Sequence, residues 1–358
     1  MILRTSALDG LALRGGEMEE RNRFQVAIID SYRGEYLFQP DIEQGVLDPL
    51  ATAALHRVHT ADELIGRIED VDAIITWHLV PLRADFIARL RKCRGIVCAS
   101  VGYDKVDIEF AARRGIAVCN VPDYGTEEVA DHTMALILAL VRKVRVLDRH
   151  AREGGWEWRT AGSVLRLRGA NLGIVGFGRI GSAVARRAQS FGLNVGFYDP
   201  YLPSGIEKAH GISRYESLHE LLDNSHIISL HVPLTGETRH LIGRAELERL
   251  TIEKILVNTS RGDVIDQQAL IQCVVKDSIG GVGLDVLSEE PHVPGELRAS
   301  DKVLLTGHSA FYADASLREL RYKAAMSARR FLLGEAERNI INGVSNAKPR
   351  PMTGSSFL

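Results

Sequence analysis

Cysteine, aromatic residues and long apolar runs are all scarce in this chain of 358 residues. Its four cysteines, Cys93, Cys98, Cys119 and Cys273, lie in apolar stretches without the close pairing and neighbouring histidines of a zinc site. Neither a disulfide-stapled secreted domain nor a zinc module fits that pattern, and we expect reduced, buried thiols in a cytoplasmic protein. No apolar run reaches the ~18 residues that span a bilayer. The longest, residues 134–141, is bounded by His132 and Arg142. Charge of one sign is missing too: 44 Lys and Arg against 46 Asp and Glu leave a formal net charge of -2. That excludes the basic surface that draws proteins to nucleic acid or anionic membrane, so the expected partners are small molecules or a second copy of the chain. What remains is ordinary globular content, 45% hydrophobic and 25% charged, over a length suited to two domains.

From Phe24 onward, short β-branched apolar runs alternate with helical patterns, the signature of βαβ units and a parallel sheet. QVAIID (25–30), DAIIT (72–76), RGIVCA (94–99) and GIAVCNV (115–121) read as strands, with helices expected over 61–70, 84–93 and 106–115. Thr126, as N-cap before Glu127 and Glu128, opens a long amphipathic helix expected to run to about Arg152, with the acids where the helix dipole favours them. A second and larger series follows at 172–177, 193–199, 226–232, 254–259, 280–286 and 302–307. The fold class is therefore α/β, with two doubly wound parallel sheets and no residue-level repeat between them. Residues 1–23 lack a signal-peptide apolar core and read as a flexible leader, and residues 345–358 as a disordered tail.

Gly176-Phe177-Gly178-Arg179-Ile180-Gly181 follows an expected strand and opens an expected helix. A G-x-G-x-x-G string alone is weak; in that context it has a mechanism. Gly176 permits the tight turn, Gly178 lets a pyrophosphate approach the backbone, and Gly181 lets helix and strand pack closely. Asp199 ends the next strand, eighteen residues beyond Gly181. Its carboxylate is placed to accept from the adenosine ribose hydroxyls and to repel the extra phosphate of NADP, which favours NAD.

Hydride transfer to a carbonyl also needs a cation for the substrate, a proton donor and a partner for that donor. Arg261 follows the strand KILVNT, Glu290 follows GGVGLDV, and His308 follows KVLLTG. Each singly is a surface turn residue. All three at the carboxyl ends of parallel strands, where such sheets bind ligands, form a candidate catalytic set.

These residues resemble the D-isomer-specific 2-hydroxyacid dehydrogenase family over about residues 70 to 344. The resemblance is carried by LGIVGFGRIGSAVARRAQSFGLNVGFYDP (172–200), HVPLTGETRHLIG (231–243), VNTSRGDVID (257–266), LDVLSEEP (284–291) and GHSAF (307–311). GIAVCNVP (115–122), FYDPYL (197–202) and HSAFYADAS (308–316) further resemble the C-terminal-binding-protein branch, which includes transcriptional corepressors. The resemblance implies a Rossmann-type cofactor domain over 125–311 and a flavodoxin-like substrate domain over 24–124 and 312–344. The active site would lie in the cleft between them, and the assembly would be a homodimer joined through the cofactor domain. It implies that Arg261 binds the substrate carboxylate, that His308 is the general acid in reduction, and that Glu290 pairs with it. Backbone N–H groups at Ser100, Val101 and Gly102 would hold the far side of the carboxylate, and His78 and Phe311 would line the pocket. Val232, Pro233 and Thr259 match positions at the nicotinamide end, and Arg179, Ile180 and Asp285 are counted with the cofactor-binding residues.

Three positions depart from the branch. Cys98 replaces an arginine near the substrate, Phe311 replaces a tryptophan, and Gly307 replaces a proline, which should loosen the backbone that aims His308. The expected activity is NADH-dependent reduction of a small or medium 2-oxo acid to the D-2-hydroxy acid. The alternatives are an NAD(H)-sensing, corepressor-like scaffold and a phosphite-type dehydrogenase.

Overall fold

The structure, a computed structural model, describes residues 23–344. The expected tail and, apart from Arg23, the expected leader lie outside the described residues. The chain divides into two compact units, one made of residues up to Tyr124 and from Leu317 onward, the other of Gly125–Ser316.

The first unit is built on β1 (Phe24–Ser31), β2 (Ala51–Val58), β3 (Ala73–Thr76), β4 (Gly95–Cys98) and β5 (Ala117–Asn120), all parallel in the order β2-β1-β3-β4-β5. Every residue of β3, β4 and β5 is buried, which is why those strands read as unbroken apolar runs. The edge strand β2 was not among the expected ones. Its sequence ATAALHRV is largely half-exposed and carries little of the β-branched signal.

The helices are shorter than expected. After α1 (Asp41–Leu47), the segment 61–70 makes one 3-10 turn at Ala61–Leu64, and the chain leaves it through Gly66 at φ 84°. α2 (Ala84–Ile87) stops after one turn, whereas α3 (Ile108–Arg113) forms as expected, with the Asp107 carboxylate accepting from Phe110 N at 2.9 Å. The C-terminal helix Asp314–Leu333 returns to this sheet. A Cβ on Gly95 would lie 2.1 Å from the Phe331 ring, so the glycine is the seat for that buried aromatic.

The second unit opens with α4 (Thr126–Val141) and α5 (Val144–Arg152), where one helix was expected. Met134, Ile137 and Leu140 of α4 are buried in the core, each such side chain contributing about 1.5–3 kcal/mol. In α5 no residue is fully buried, although Val146, Leu147 and His150 are half-buried, and the chain turns into it at left-handed Lys143 (φ 56°). The N-cap is Gly125 rather than Thr126, with Glu127 and Glu128 in the first turn as expected.

There follow β6 (Asn171–Val175), α6 (Arg179–Ser190), β7 (Asn194–Tyr198), β8 (Ser213–Arg214), β9 (Ile227–Leu230), β10 (Ile255–Asn258), β11 (Gly281–Leu284) and β12 (Val303–Leu305). All seven strands are parallel, in the order β12-β11-β10-β9-β6-β7-β8. Each expected strand is present, and the two-residue β8 is added. The order reverses between β6 and β9, so the ligand crevice of this sheet lies at their carboxyl ends.

Cys93, Cys98 and Cys119 are buried, and burial pushes the Cys93 and Cys98 thiols up to about 12. Cys273 departs from expectation in being only half-buried. Among the described residues no helix is long and apolar enough to cross a membrane.

Candidate active site

At the end of β6 the chain turns through Gly176 at φ 88°. A Cβ there would sit 2.8 Å from Val232 Cγ1 and 2.9 Å from the His231 carbonyl, so the loop after β9, with Val232 and Pro233, lies directly against the turn. A Cβ on Gly181 would fall 2.2 Å from the Gly176 carbonyl, which fixes how closely α6 approaches β6. Gly178 is the N-cap of α6, and a Cβ on it would meet nothing within 4 Å. The turn thus has open space where a pyrophosphate must come close to the backbone, beside the helix N–H groups of Arg179 and Ile180. The Asp199 carboxylate closes this turn: Oδ2 accepts from Phe177 N at 2.9 Å and Oδ1 from Tyr201 N at 3.1 Å. The residues present fit a dinucleotide.

Arg261 leaves β10 on a loop held from below by Asn258, which is fully buried. Asn258 Nδ2 donates to the Arg261 carbonyl at 2.8 Å, and its Oδ1 accepts from the N–H and hydroxyl of Ser260. A Cβ on Gly262 would lie 2.0 Å from the Leu287 carbonyl carbon, so this loop packs tightly on the one after β11 that carries Glu290.

His308 Nδ1 lies 2.8 Å from Glu290 Oε2, and Glu290 Oε1 accepts from Leu287 N at 3.1 Å. Burial works to raise the pKa of this carboxyl. The hydrogen bond and charge of His308, the Leu287 N–H and the charge of Arg261 outweigh it, holding Glu290 below its ordinary value. His308 and Arg261, on two other loops, thus both act on Glu290. The Phe311 ring stands edge-on to the imidazole, 6.3 Å between centroids.

Gly307 and His308 are consecutive left-handed residues, at φ 61° and 58°. A left-handed non-glycine residue costs about 1–3 kcal/mol and persists only where its surroundings over-determine it. Here Asp285, 3% exposed, does so. Its carbonyl accepts from His308 N at 2.6 Å, Oδ1 from Ser309 N and Thr306 Oγ1, and Oδ2 from Ala310 N. The backbone around His308 is tightly held, contrary to the loosening expected from Gly307. Proline, fixed near φ −65°, has no access to the Gly307 conformation.

In the first unit, His78 follows β3, and its Nε2 is 3.0 Å from Tyr36 Oη. Ser100, Val101 and Gly102 follow β4. Ser100 N donates to the Cys98 carbonyl at 2.8 Å, its hydroxyl to the Gly102 carbonyl at 2.5 Å, and Asn120 Nδ2 to the Val101 carbonyl at 2.6 Å. The Ser100 N–H is therefore engaged within the turn, and the candidate carboxylate donors narrow to those of Val101 and Gly102. Sequence reasoning missed the supports: Asn258, although inside the VNTSRGD signature, Tyr36, and two residues of α4. Thr259, 8% exposed, has its hydroxyl 3.0 Å from that of Thr133, and His132 Nε2 lies 2.9 Å from Thr306 Oγ1.

Comparison with known proteins identifies the family. The profile of the D-isomer specific 2-hydroxyacid dehydrogenase NAD-binding domain matches residues 134–310. A glyoxylate reductase of Korarchaeum cryptofilum is 40% identical over 283 residues, covering 78% of this chain and 85% of that enzyme. The crystal structure of D-lactate dehydrogenase from Aquifex aeolicus with NAD and lactic acid matches at TM-score 0.78 and 28% identity, over 87% of this chain and 96% of the other. An NADPH-dependent glyoxylate/hydroxypyruvate reductase from Sinorhizobium meliloti, in complex with NADP and malonate, matches at TM-score 0.80 and 26% identity, over 92% and 100%. The chain belongs to the D-isomer specific 2-hydroxyacid dehydrogenases and is an NAD-dependent dehydrogenase of that family.

Proposed function

We propose that this enzyme reduces a small 2-oxo acid to the corresponding D-2-hydroxy acid. The second unit acts as the cofactor domain and the first as the substrate domain. Gly176, Gly178, Arg179, Ile180 and Gly181 would hold the pyrophosphate and Asp199 the ribose. Val232, Pro233, Thr259 and Asp285 would border the nicotinamide. When bound, NADH supplies the hydride that the carbonyl carbon accepts. Arg261 holds the substrate carboxylate and polarises the reacting oxygen, with the Val101 and Gly102 N–H groups on the carboxylate and His78 and Phe311 as pocket walls. His308, with Nδ1 bound to Glu290, passes its Nε2 proton to that oxygen; the imidazolium becomes neutral and the oxygen a hydroxyl. Glu290 stabilises the imidazolium before transfer.

The observation that carries this reading is the 2.8 Å contact between His308 and Glu290 on a histidine held in a left-handed turn. The test follows NADH absorbance with glyoxylate, hydroxypyruvate and larger 2-oxo acids. At least one should be reduced, and His308→Ala should lose about 10²–10⁴-fold in kcat while still binding NADH. A His308→Ala enzyme as fast as wild type would end the assignment. Phosphite as a hydride donor to NAD is the control for a phosphite-type activity. A corepressor-like, cofactor-sensing scaffold has no need of Glu290 on His308, and the same assay separates it.

We also propose a homodimer, supported by α5, none of whose residues is fully buried, and by the following Trp156 and Trp158, 91% and 75% exposed.

A further inference from the structure

Two neighbouring residues of α4 each reach a different catalytic loop. Thr306 Oγ1 donates to Asp285 Oδ1 at 2.7 Å, because the carboxylate has no proton to give. The hydroxyl has only that one hydrogen. The contact of 2.9 Å to His132 must then be a donation from His132 Nε2–H, which fixes the protonated nitrogen of that ring. Asp285 in turn receives Ser309 N and Ala310 N, so one chain of hydrogen bonds runs from His132 through Thr306 and Asp285 to the turn that holds His308.

The next residue does the same for Arg261. Thr133, fully buried, donates its hydroxyl to the Val129 carbonyl at 2.7 Å. The 3.0 Å contact with Thr259 is therefore a donation from Thr259 to Thr133. Thr259 is two residues before Arg261 on the loop braced by Asn258.

We propose that His132 and Thr133 are paired positioning residues: His132 sets the His308 loop through Thr306 and Asp285, and Thr133 sets the Arg261 loop through Thr259. α4 thereby fixes the spacing between proton donor and carboxylate holder. The inference rests on the roles given above to His308 and Arg261. It separates two effects. Misplacing the donor slows proton transfer with little effect on binding, whereas misplacing the guanidinium weakens substrate binding and, to a lesser degree, polarisation of the reacting oxygen.

The test compares wild type with His132→Ala, His132→Gln, Thr133→Val and Thr133→Ser, using glyoxylate as probe substrate. NADH affinity is read by fluorescence, and the downfield imidazole proton of the His308–Glu290 pair by NMR. His132→Ala should lower kcat about 10- to 100-fold, keep the NADH Kd within about twofold, and broaden or lose the imidazole proton. His132→Gln, whose amide can donate to Thr306, should recover most of both. Thr133→Val should raise KM for glyoxylate about tenfold and lower kcat by less than His132→Ala does, and Thr133→Ser should stay near wild type. A His132→Ala enzyme with unchanged kcat, a glutamine no better than alanine, or equal shifts of kcat and KM in both series overturns the proposal. If His132→Ala does not fold, Thr306→Val against Thr306→Ser poses the same comparison. Absence of turnover by wild type with every 2-oxo acid defeats the proposed function alone. The imidazole proton then decides the His132 link, which is overturned if the signal is the same in His132→Ala as in wild type.

Discussion

Nδ1 of His308 and Oε2 of Glu290 stand 2.8 Å apart, with the side chains 21% and 29% exposed. Because Glu290 is held below its ordinary value while the unfolded chain returns it to about 4.3, its contribution to stability is complete above the unfolded pKa and is lost as pH falls through the folded one. Glu290→Gln should cost about 1 kcal/mol at neutral pH. The gap should narrow only as pH falls below the ordinary carboxyl range and through the lowered pKa of the folded state. Thermal unfolding of both proteins across that range checks this, and parallel curves at every pH would contradict it.

The left-handed backbone of Gly307, at φ 61°, is closed to proline. Gly307→Pro should remove the left-handed turn and lower kcat by about 100-fold or more, whereas Gly307→Ala should cost about 1 kcal/mol of stability with a smaller loss of rate. Steady-state kinetics and thermal melts of the two variants measure it. A proline variant as active as wild type would show that the turn is not needed.

Asp199 should set cofactor choice. Arg214 already donates to the Asp199 carbonyl at 3.2 Å, so removing the carboxylate leaves a cation beside the ribose position. Asp199→Ser should shift the NADH-to-NADPH ratio of kcat/KM toward NADPH by at least about tenfold, equivalent to 1.4 kcal/mol. An unchanged ratio would remove Asp199 from the discrimination.

The exposed indoles give a test of assembly. If Trp156 and Trp158 are covered by a second copy, the double change to alanine should weaken the dimer by about tenfold or more in sedimentation experiments, since a buried tryptophan dominates an interface. A wild-type protein that sediments as a monomer at all concentrations would refute the homodimer.

Much of the architecture was legible because β3–β5 and β9–β11 are buried throughout, so their apolar runs announce themselves. Of the edge strands, β5 and β12 were legible and β2 and β8 were not. β2 is only partly buried and β8 is two residues long, so neither leaves a hydrophobic period. The break at Lys143 is also silent, since neither glycine nor proline marks it. In the site, Arg261, Glu290 and His308 stand out as polar residues after strands. His132 and Thr133 look like ordinary helix residues, and their partners lie 174 and 126 positions away. Asp285 was read only as a neighbour of the cofactor; its hydrogen bonds to the His308 turn depend on backbone geometry that composition does not encode.

The discontinuity of the first unit bears on how the polypeptide is made. Its sheet is complete by Asn120, yet Phe331, which fills the hollow over Gly95, and Ile341, whose N–H reaches the Val118 carbonyl, emerge from the ribosome some two hundred residues later. Synthesis at about 5–20 residues per second leaves that apolar hollow uncovered for many seconds. The nascent chain therefore passes through a stage in which its earliest-made layer is unsealed, and release or stalling before the last helix would yield a sticky, degradable product.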